Sequence, residues 1–290
     1  MAILSIQSHV VYGYAGNTSA VFPLQRLGHE VWAINTVEFS NHTGYGAWRG
    51  KALGADLVNE LVDGLGERGV LPECEAVLSG YLGEADIANA IKRAVRKVRE
   101  VTPTAVYCCD PVMGDYGRGI YVKPGILEMF RDELFPLASI VTPNQFELGL
   151  LTGIEFSGGQ DKAEVDKARK ALDAVHKKGV KVVLVTSFGQ KAAYSGEIGM
   201  LVSDGNGIWR VRTPEFDFDR GIAGSGDLTT AVFLARYLEA KDARLALEQT
   251  ANSVFGIMET MYKSGRRELC TITSQNELVS PARHFEAEHL

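Results

Sequence analysis

The chain has 290 residues, 46% of them hydrophobic, and a formal net charge of −6. Its length fits one large α/β domain with a substantial core, and its acidic balance excludes a strongly basic nucleic-acid groove. No run of about 18 apolar residues is present, so no transmembrane helix and no membrane partner are expected.

Met1 leads directly into an apolar strand pattern, without a basic and then apolar leader, which points to a cytoplasmic protein. Ala2 to Gln7 is expected to form a short strand that breaks at Ser8-His9. A glycine-bearing polar segment follows, then a helix from Thr18 to Leu27 stopped by Gly28. His29 to Asn35 reads as a second strand, and Phe39 to Gly46 as irregular. Leu53 to Leu65 reads as a helix, and Ala76 to Ser79 as a buried strand ending at Gly80-Tyr81. Asp86 to Arg99 is an amphipathic helix with Lys92, Arg93, Arg96 and Lys97 on one solvated face. Ala105 to Cys109 is the next strand. Cys108 and Cys109 would face opposite sides of it, and with Cys74 and Cys270 they read as buried free thiols of a reducing compartment. Ile126 to Phe135 is helical, Ile140-Val141 extended, and Phe146 to Leu151 a short helix. A helix from Lys162 to Lys178 precedes the strand Val180 to Val185. Strands near Ala192–Ser195, Gly199–Ser203 and Ile208–Arg212 read as antiparallel, with a hairpin at Asp204 to Gly207. Helices from Asp227 to Leu238 and Asp242 to Lys263 complete the chain.

This alternation implies a doubly wound α/β fold with a mostly parallel central sheet and helices on both faces. No linker or repeat interrupts it, so residues 1–290 read as one domain. Ligands in such folds bind at the carboxyl ends of the strands. Ser8, Asp110, Asn144 and Thr186 are all expected at such ends.

Gly224-Ser225-Gly226-Asp227 is the most informative segment. Glycines allow close backbone approach, and free N–H groups at a helix start bind anions. Asp227 beside them can take a proton from an alcohol while the N–H groups hold a phosphoryl group. A plain glycine turn ahead of a helix is the other reading. The GxxxxGK[ST] loop is absent, and no GxGxxG follows the first strand. Asp110, fixed by Pro111, and Glu147 suit magnesium on a nucleotide, with Asn144 as a neutral oxygen donor. Capping is the alternative for both acids. Asp115 to Tyr121 reads as a flap around residues 115–122 that excludes water, carrying Tyr116, Arg118 and Tyr121. Arg118 there either moves toward phosphate or stays solvated. Ser8, Thr43 and Tyr81 suit a small, flat, polar substrate. The six histidines form no HxH or HxxxH pair, which speaks against zinc.

Taken together, Gln7–Gly13 with Gly16-Asn17, Phe39–Gly46, Leu78–Gly83, Cys109–Asp115, Thr142–Glu147 and Gly224–Asp227 resemble pyridoxal kinases of the ribokinase-like superfamily, especially the bacterial type. The resemblance spans nearly the whole chain. It implies transfer of the γ-phosphoryl group of ATP to the 5′-hydroxymethyl group of pyridoxal, pyridoxine or pyridoxamine. It assigns Asp227 as base, Gly224, Ser225 and Gly226 as anion hole, and Ser8, His42, Thr43, Gly44 and Tyr81 as vitamin contacts. It assigns Asp110, Asp115, Thr142, Asn144, Glu147, Thr186 and Ser187 to the metal and phosphate side, and Thr213, Pro214, Glu215, Phe216 and Phe218 to the adenine. It also implies Mg²⁺, stimulation by K⁺, and a homodimer. Ser225 departs from the commoner threonine or valine. Ile120 and Thr186 stand where some bacterial relatives carry a cysteine and a lysine. Hydroxymethylpyrimidine kinase activity on the same fold is the nearest alternative, followed by a non-catalytic B6-binding protein. A nicotinamide oxidoreductase lacks its glycine fingerprint.

Overall fold

In the computed structural model, which describes residues 1–190, 196–218 and 221–290, strand and helix alternate from the start. The first elements are β1 (Ala2–Tyr12), α1 (Asn17–Arg26), β2 (Glu30–Asn41), β3 (Gly50–Ala52), α2 (Ala55–Arg68), β4 (Cys74–Ser79), α3 (Ile87–Val101) and β5 (Val106–Cys109). A small pair, β6 (Gly114–Asp115) and β7 (Gly119–Ile120), precedes a helical stretch that begins as α4 (Ile126–Glu128). Then come β8 (Ile140–Val141), α5 (Gln145–Thr152), α6 (Lys162–His176), β9 (Val182–Phe188), β10 (Glu197–Ser203) and β11 (Ile208–Pro214). α7 (Ser225–Ala240), α8 (Ala243–Ser264), α9 (Asn276–Val279) and β12 (Glu288–His289) finish the chain.

Among the described residues, one sheet runs β12-β11-β10-β9-β8-β5-β4-β1-β2-β3. The strands from β9 to β2 pair in parallel, and antiparallel strands extend both edges. The chain steps from β1 to β2 on one side, then to β4 on the other. That reversal creates a crevice above the carboxyl ends of the strands.

Period-2 alternation divides the core. Leu4, Ile6, Val77, Cys109, Val141 and Val183 pack with α2, α3, α5 and α6 on one face. Ile3, Ala76, Leu78, Cys108, Ile140 and Val182 pack with α1, α7 and α8 on the other. The adjacent cysteines therefore do point apart, and all four cysteines are buried and free.

In α3, Ile87, Ile91, Ala94, Val95 and Val98 are buried, a spacing of three and four that makes one apolar stripe. The basic face is not simply solvated, as its sequence suggests. Arg93 donates to Asp63 of α2 at 2.6 Å, Lys97 pairs with the same carboxylate, and Lys92 pairs with Glu133.

Several boundaries differ from expectation. β1 does not break at Ser8 but runs to Tyr12, with a register shift against β2 between Gln7 and His9. Phe39–Asn41 are the end of β2, not irregular chain; the chain leaves the strand at His42, and Thr43–Tyr45 form a 3-10 turn. Thr186 likewise lies within β9, not beyond its end. The long β1–β2 pairing satisfies the backbone of the first two segments, and the Thr186 N–H donates to Pro143 C=O at 3.0 Å. The expected helix from Ile126 widens at Met129–Leu134 and tightens at Phe135–Leu137, where Pro136 cannot donate a backbone bond. β3, α9 and β12 carry too few residues to show a period. The strand expected near Ala192–Ser195 lies outside the described residues.

Candidate active site

Two adjoining cavities open over the carboxyl ends of the parallel strands. The first, of about 600 Å³, is lined by Ser8, His42, Thr43, Gly44 and Tyr81, the acids Asp110, Asp115, Glu147 and Asp227, and Tyr116, Arg118 and Tyr121 from around the β6–β7 pair. Thr142, Asn144 and Gly224 complete its polar wall. The second, of about 420 Å³, is lined by Thr213, Pro214, Glu215, Phe216 and Phe218, with Ala251, Val254, Phe255 and Met258 from α8. Thr186, Ser187, Ser225 and Gly226 line both. Every residue assigned from the sequence thus reaches one connected cleft.

The glycine loop sits at the junction. Gly224 is the N-cap of α7 in the left-handed conformation, φ 80°. Leu228 N–H closes the first helical bond to Gly224 C=O at 2.9 Å, so the N–H groups of residues 225–227 precede the ladder. The Asp227 carboxylate lies near its own N–H and that of Gly16. Among the described residues no partner is found for those of Ser225 and Gly226, and a Cβ at Gly226 would meet open space. Gly224 thus holds the N-cap position, with Asp227 in the first turn. Burial raises the Asp227 pKa, and the two N–H groups hold it back.

The start of α1 braces this loop, a role its sequence did not announce. The Ser19 hydroxyl donates to Gly224 C=O at 2.7 Å. A Cβ at Gly224 would lie 2.5 Å from the Tyr14 carbonyl, and one at Gly16 would overlap Ser8. The only signal was glycine in the segment after β1.

Asp110 is 5% exposed. Burial pushes its pKa well up, and Glu147 and Asp227 push it further. The Thr230 hydroxyl, one turn along α7 from Asp227, lies 3.2 Å from Asp110 Oδ2 and 2.8 Å from Thr142 Oγ1. Thr230 was invisible in the sequence because it sits within an ordinary helical pattern.

Glu147 is both cap and site residue. Its Oε1 accepts Met113 N–H at 2.8 Å and its Oε2 accepts Asn144 N–H at 3.0 Å. Burial still lifts its pKa to about 7. Asn144 Oδ1 accepts Glu147 N–H at 2.9 Å, and its amide donates to Gly114 C=O. Asn144 is thus the other half of a capping box, and its oxygen is engaged there rather than offered as a free donor.

Residues 114–120 form a short hairpin, β6–β7. Arg118 is not freely solvated: its Nε donates to Asp115 Oδ2 at 2.9 Å and its guanidinium lies 5.2 Å from the Tyr121 ring centre. Tyr116 packs edge-on against Phe146. His42 Nδ1 accepts Gly44 N–H at 3.1 Å, and burial, helped by Arg118, lowers its pKa. The Tyr81 carbonyl accepts the Thr36 hydroxyl at 2.8 Å, which anchors that ring's backbone.

On the other side, the Phe216 ring lies 5.3 Å from Phe255 and 5.1 Å from Tyr262. This apolar wall suits a flat base. Ser187, between the cavities, has φ 52°. Left-handed backbone at a non-glycine residue costs energy and is concentrated at functional sites.

The family model described as phosphomethylpyrimidine kinase matches residues 54–270. A pyridoxal kinase of Granulibacter bethesdensis is 48% identical over 99% of this chain and 99% of its own length. One from Corynebacterium diphtheriae is 46% identical over 100% of both. Among solved structures, a Leishmania donovani pyridoxal kinase in complex with ADP and pyridoxamine has a TM-score of 0.88 and 32% identity, covering 100% of this chain and 99% of that one. The same enzyme in complex with ADP and pyridoxine has a TM-score of 0.89, at 31% identity and the same coverage.

Proposed function

The chain belongs to the pyridoxal kinase family, and on that premise we propose how its cleft phosphorylates B6 vitamers. It is an ATP-dependent kinase that converts pyridoxal, and pyridoxine and pyridoxamine by the same chemistry, to the 5′-phosphates. The vitamer occupies the Ser8–Thr43–Tyr81 side, with His42 and Gly44. The adenine lies against Thr213–Phe218. The phosphates span Thr186, Ser187 and the Gly224–Gly226 loop, with Asp115 and Thr142 facing them. Asp227 removes the proton of the 5′-hydroxyl as that oxygen bonds to the γ-phosphorus. The bond from the γ-phosphorus to the β,γ-bridging oxygen breaks, and ADP leaves. The observation that carries this is Asp227 in the wall of the first cavity, directly after Ser225 and Gly226, which line both cavities at the start of α7. Phosphorylation assays across the three vitamers and hydroxymethylpyrimidine test it. Faster turnover of the pyrimidine would favour the nearest alternative.

We further propose Mg²⁺ on the nucleotide, supported by Asp110, with Glu147 behind it. The buried carboxylates of Asp110 and Glu147, with Asp227 close enough to raise the Asp110 pKa, fit a cation. Among the described residues, no group of three such side chains can hold a metal alone. This suits an ion carried by phosphates with few protein ligands. Bound there, it would neutralise phosphate charge. Omitting Mg²⁺ should abolish turnover, and exchange of K⁺ for Na⁺ in the same assay tests monovalent stimulation.

The flap, residues 115–122, is proposed to exclude water over this centre. Tyr81→Ala should raise the KM for pyridoxal about 2- to 10-fold, the worth of a lost ring stack. The KM for ATP should hold. An equal rise in both would remove Tyr81 from the vitamer side.

Residues 1–290 are proposed to form one domain, since a single sheet includes both β3 and β12. One cooperative unfolding transition is the expected calorimetric result. A homodimer is proposed around the exposed Val11, Tyr12 and Trp48, which are 77%, 58% and 44% accessible. Sedimentation at a monomer mass across concentrations would refute it. No helix among the described residues is long and apolar enough to cross a membrane, and the free thiols support a cytoplasmic enzyme.

A further inference from the structure

The turn carrying His42, Thr43 and Gly44 is tied to a distant part of the chain by its next residue. Tyr45 donates its hydroxyl to both oxygens of Glu268, at 2.7 and 2.9 Å. The Arg267 guanidinium lies 3.8 Å from the centre of the Tyr45 ring, within cation–π range. Among the described residues, the remaining hydrogen bonds of residues 42–46 are local: Gly44 N–H to His42, Tyr45 N–H to His42, Gly46 N–H to Thr43, and Asn41 to His42.

Glu268 is itself wedged in place. A Cβ at Gly13 would lie 2.5 Å from its Oε2, so the carboxylate sits against bare backbone just beyond β1. The phenol keeps its proton: burial, and then the bond to Glu268, push its pKa up to about 12. Arg267 and Glu268 follow α8, the helix whose Ala251, Val254, Phe255 and Met258 wall the nucleotide cavity.

We propose that Tyr45, Arg267 and Glu268 form a clamp that presses the 42–44 turn onto the vitamer, making them positioning residues for substrate affinity. The inference rests on the reading of the first cavity as the B6 side. The clamp holds a turn that contacts the vitamer and touches neither phosphate nor the base. Its loss should therefore appear in the KM for pyridoxal, not in kcat or the KM for ATP.

The test is steady-state kinetics of Tyr45→Phe, Glu268→Gln and the double variant, with thermal midpoints. Tyr45→Phe keeps the ring and removes only the donor. A hydrogen bond to a charged group supports about a tenfold rise in pyridoxal KM, with kcat within about twofold. Glu268→Gln retains an acceptor and should show a smaller rise. Combined with Tyr45→Phe it should add little, because partners in one bond couple. An unchanged pyridoxal KM in Tyr45→Phe overturns the clamp, as does a parallel rise in both KM values or full additivity of the two changes. A parent active on pyridoxal with an unaffected Tyr45→Phe overturns the clamp alone. A parent inactive on every vitamer overturns it together with the reading beneath it.

Discussion

Asp227→Asn is expected to lower kcat by about 10²–10⁴-fold, the usual worth of a general base. Asparagine preserves the shape but removes the basic oxygen. The Ser225 and Gly226 N–H groups remain, so ATP and pyridoxal should still bind. Removing one negative charge beside the γ-phosphate should tighten ATP slightly. Because Gly224 holds the N-cap position of α7, the substitution spares the helix start, and the thermal midpoint should not fall below that of the parent. A near-parental kcat in a folded variant would take Asp227 out of the mechanism.

Asp110→Asn should lower kcat by about 10²-fold or more, the scale of losing one preorganised electrostatic partner, and raise the Mg²⁺ concentration needed for half-maximal rate. The same change should raise the thermal midpoint at pH 8. The sign follows from linkage. Asp110, Glu147 and Asp227 all bind their protons more tightly in the folded chain than in the unfolded one. Between the unfolded and folded pKa values the folded state holds more protons, so these groups reduce stability as pH rises. For Glu147 that window ends near pH 7. Removing the Asp110 charge relieves its repulsion of Glu147 and Asp227, so the loss of stability with rising pH should be shallower than in the parent. Calorimetry from pH 5 to 8, without nucleotide or metal, measures this. A lower midpoint at pH 8 with unchanged Mg²⁺ dependence would show that Asp110 is a structural carboxylate instead.

Much of the site was legible because its chemistry needs unusual local sequence. Glycines bracketing Ser225, the acid at Asp227, Asp110 before a proline and the Asn144–Glu147 spacing are all rare within plain helices or strands. Two of these signals carried double meanings. Asn144 and Glu147 cap their helix and also face the cleft, and a first-turn acid serves both ends at once. Arg118 looked solvated because nothing local indicates that Asp115 and Tyr121 hold it.

The residues that were not legible act across long separations. Ser19 reaches Gly224, Thr230 reaches Asp110, and Tyr45 reaches Glu268, none within one element. A hydroxyl inside a helix has no local mark that distinguishes it from a solvent-facing one. The same limit governs the strand ends: β1 and β2 outrun their apolar patterns because each supplies the other's hydrogen bonds.

By itself the sequence determined the alternating α/β order, the inward faces of most strands, the glycine loop with the acid after it, and the polar motifs at the carboxyl ends of the strands. These follow from period, backbone freedom and side-chain chemistry within a few residues. Only the tertiary structure decided that the two cavities join at Ser225 and Gly226, that the start of α1 braces the loop, and that Glu147 and Asp227 both press on the buried Asp110 carboxylate. Those facts depend on distances between segments far apart in the chain, which follow from parallel pairing and packing rather than from any local pattern.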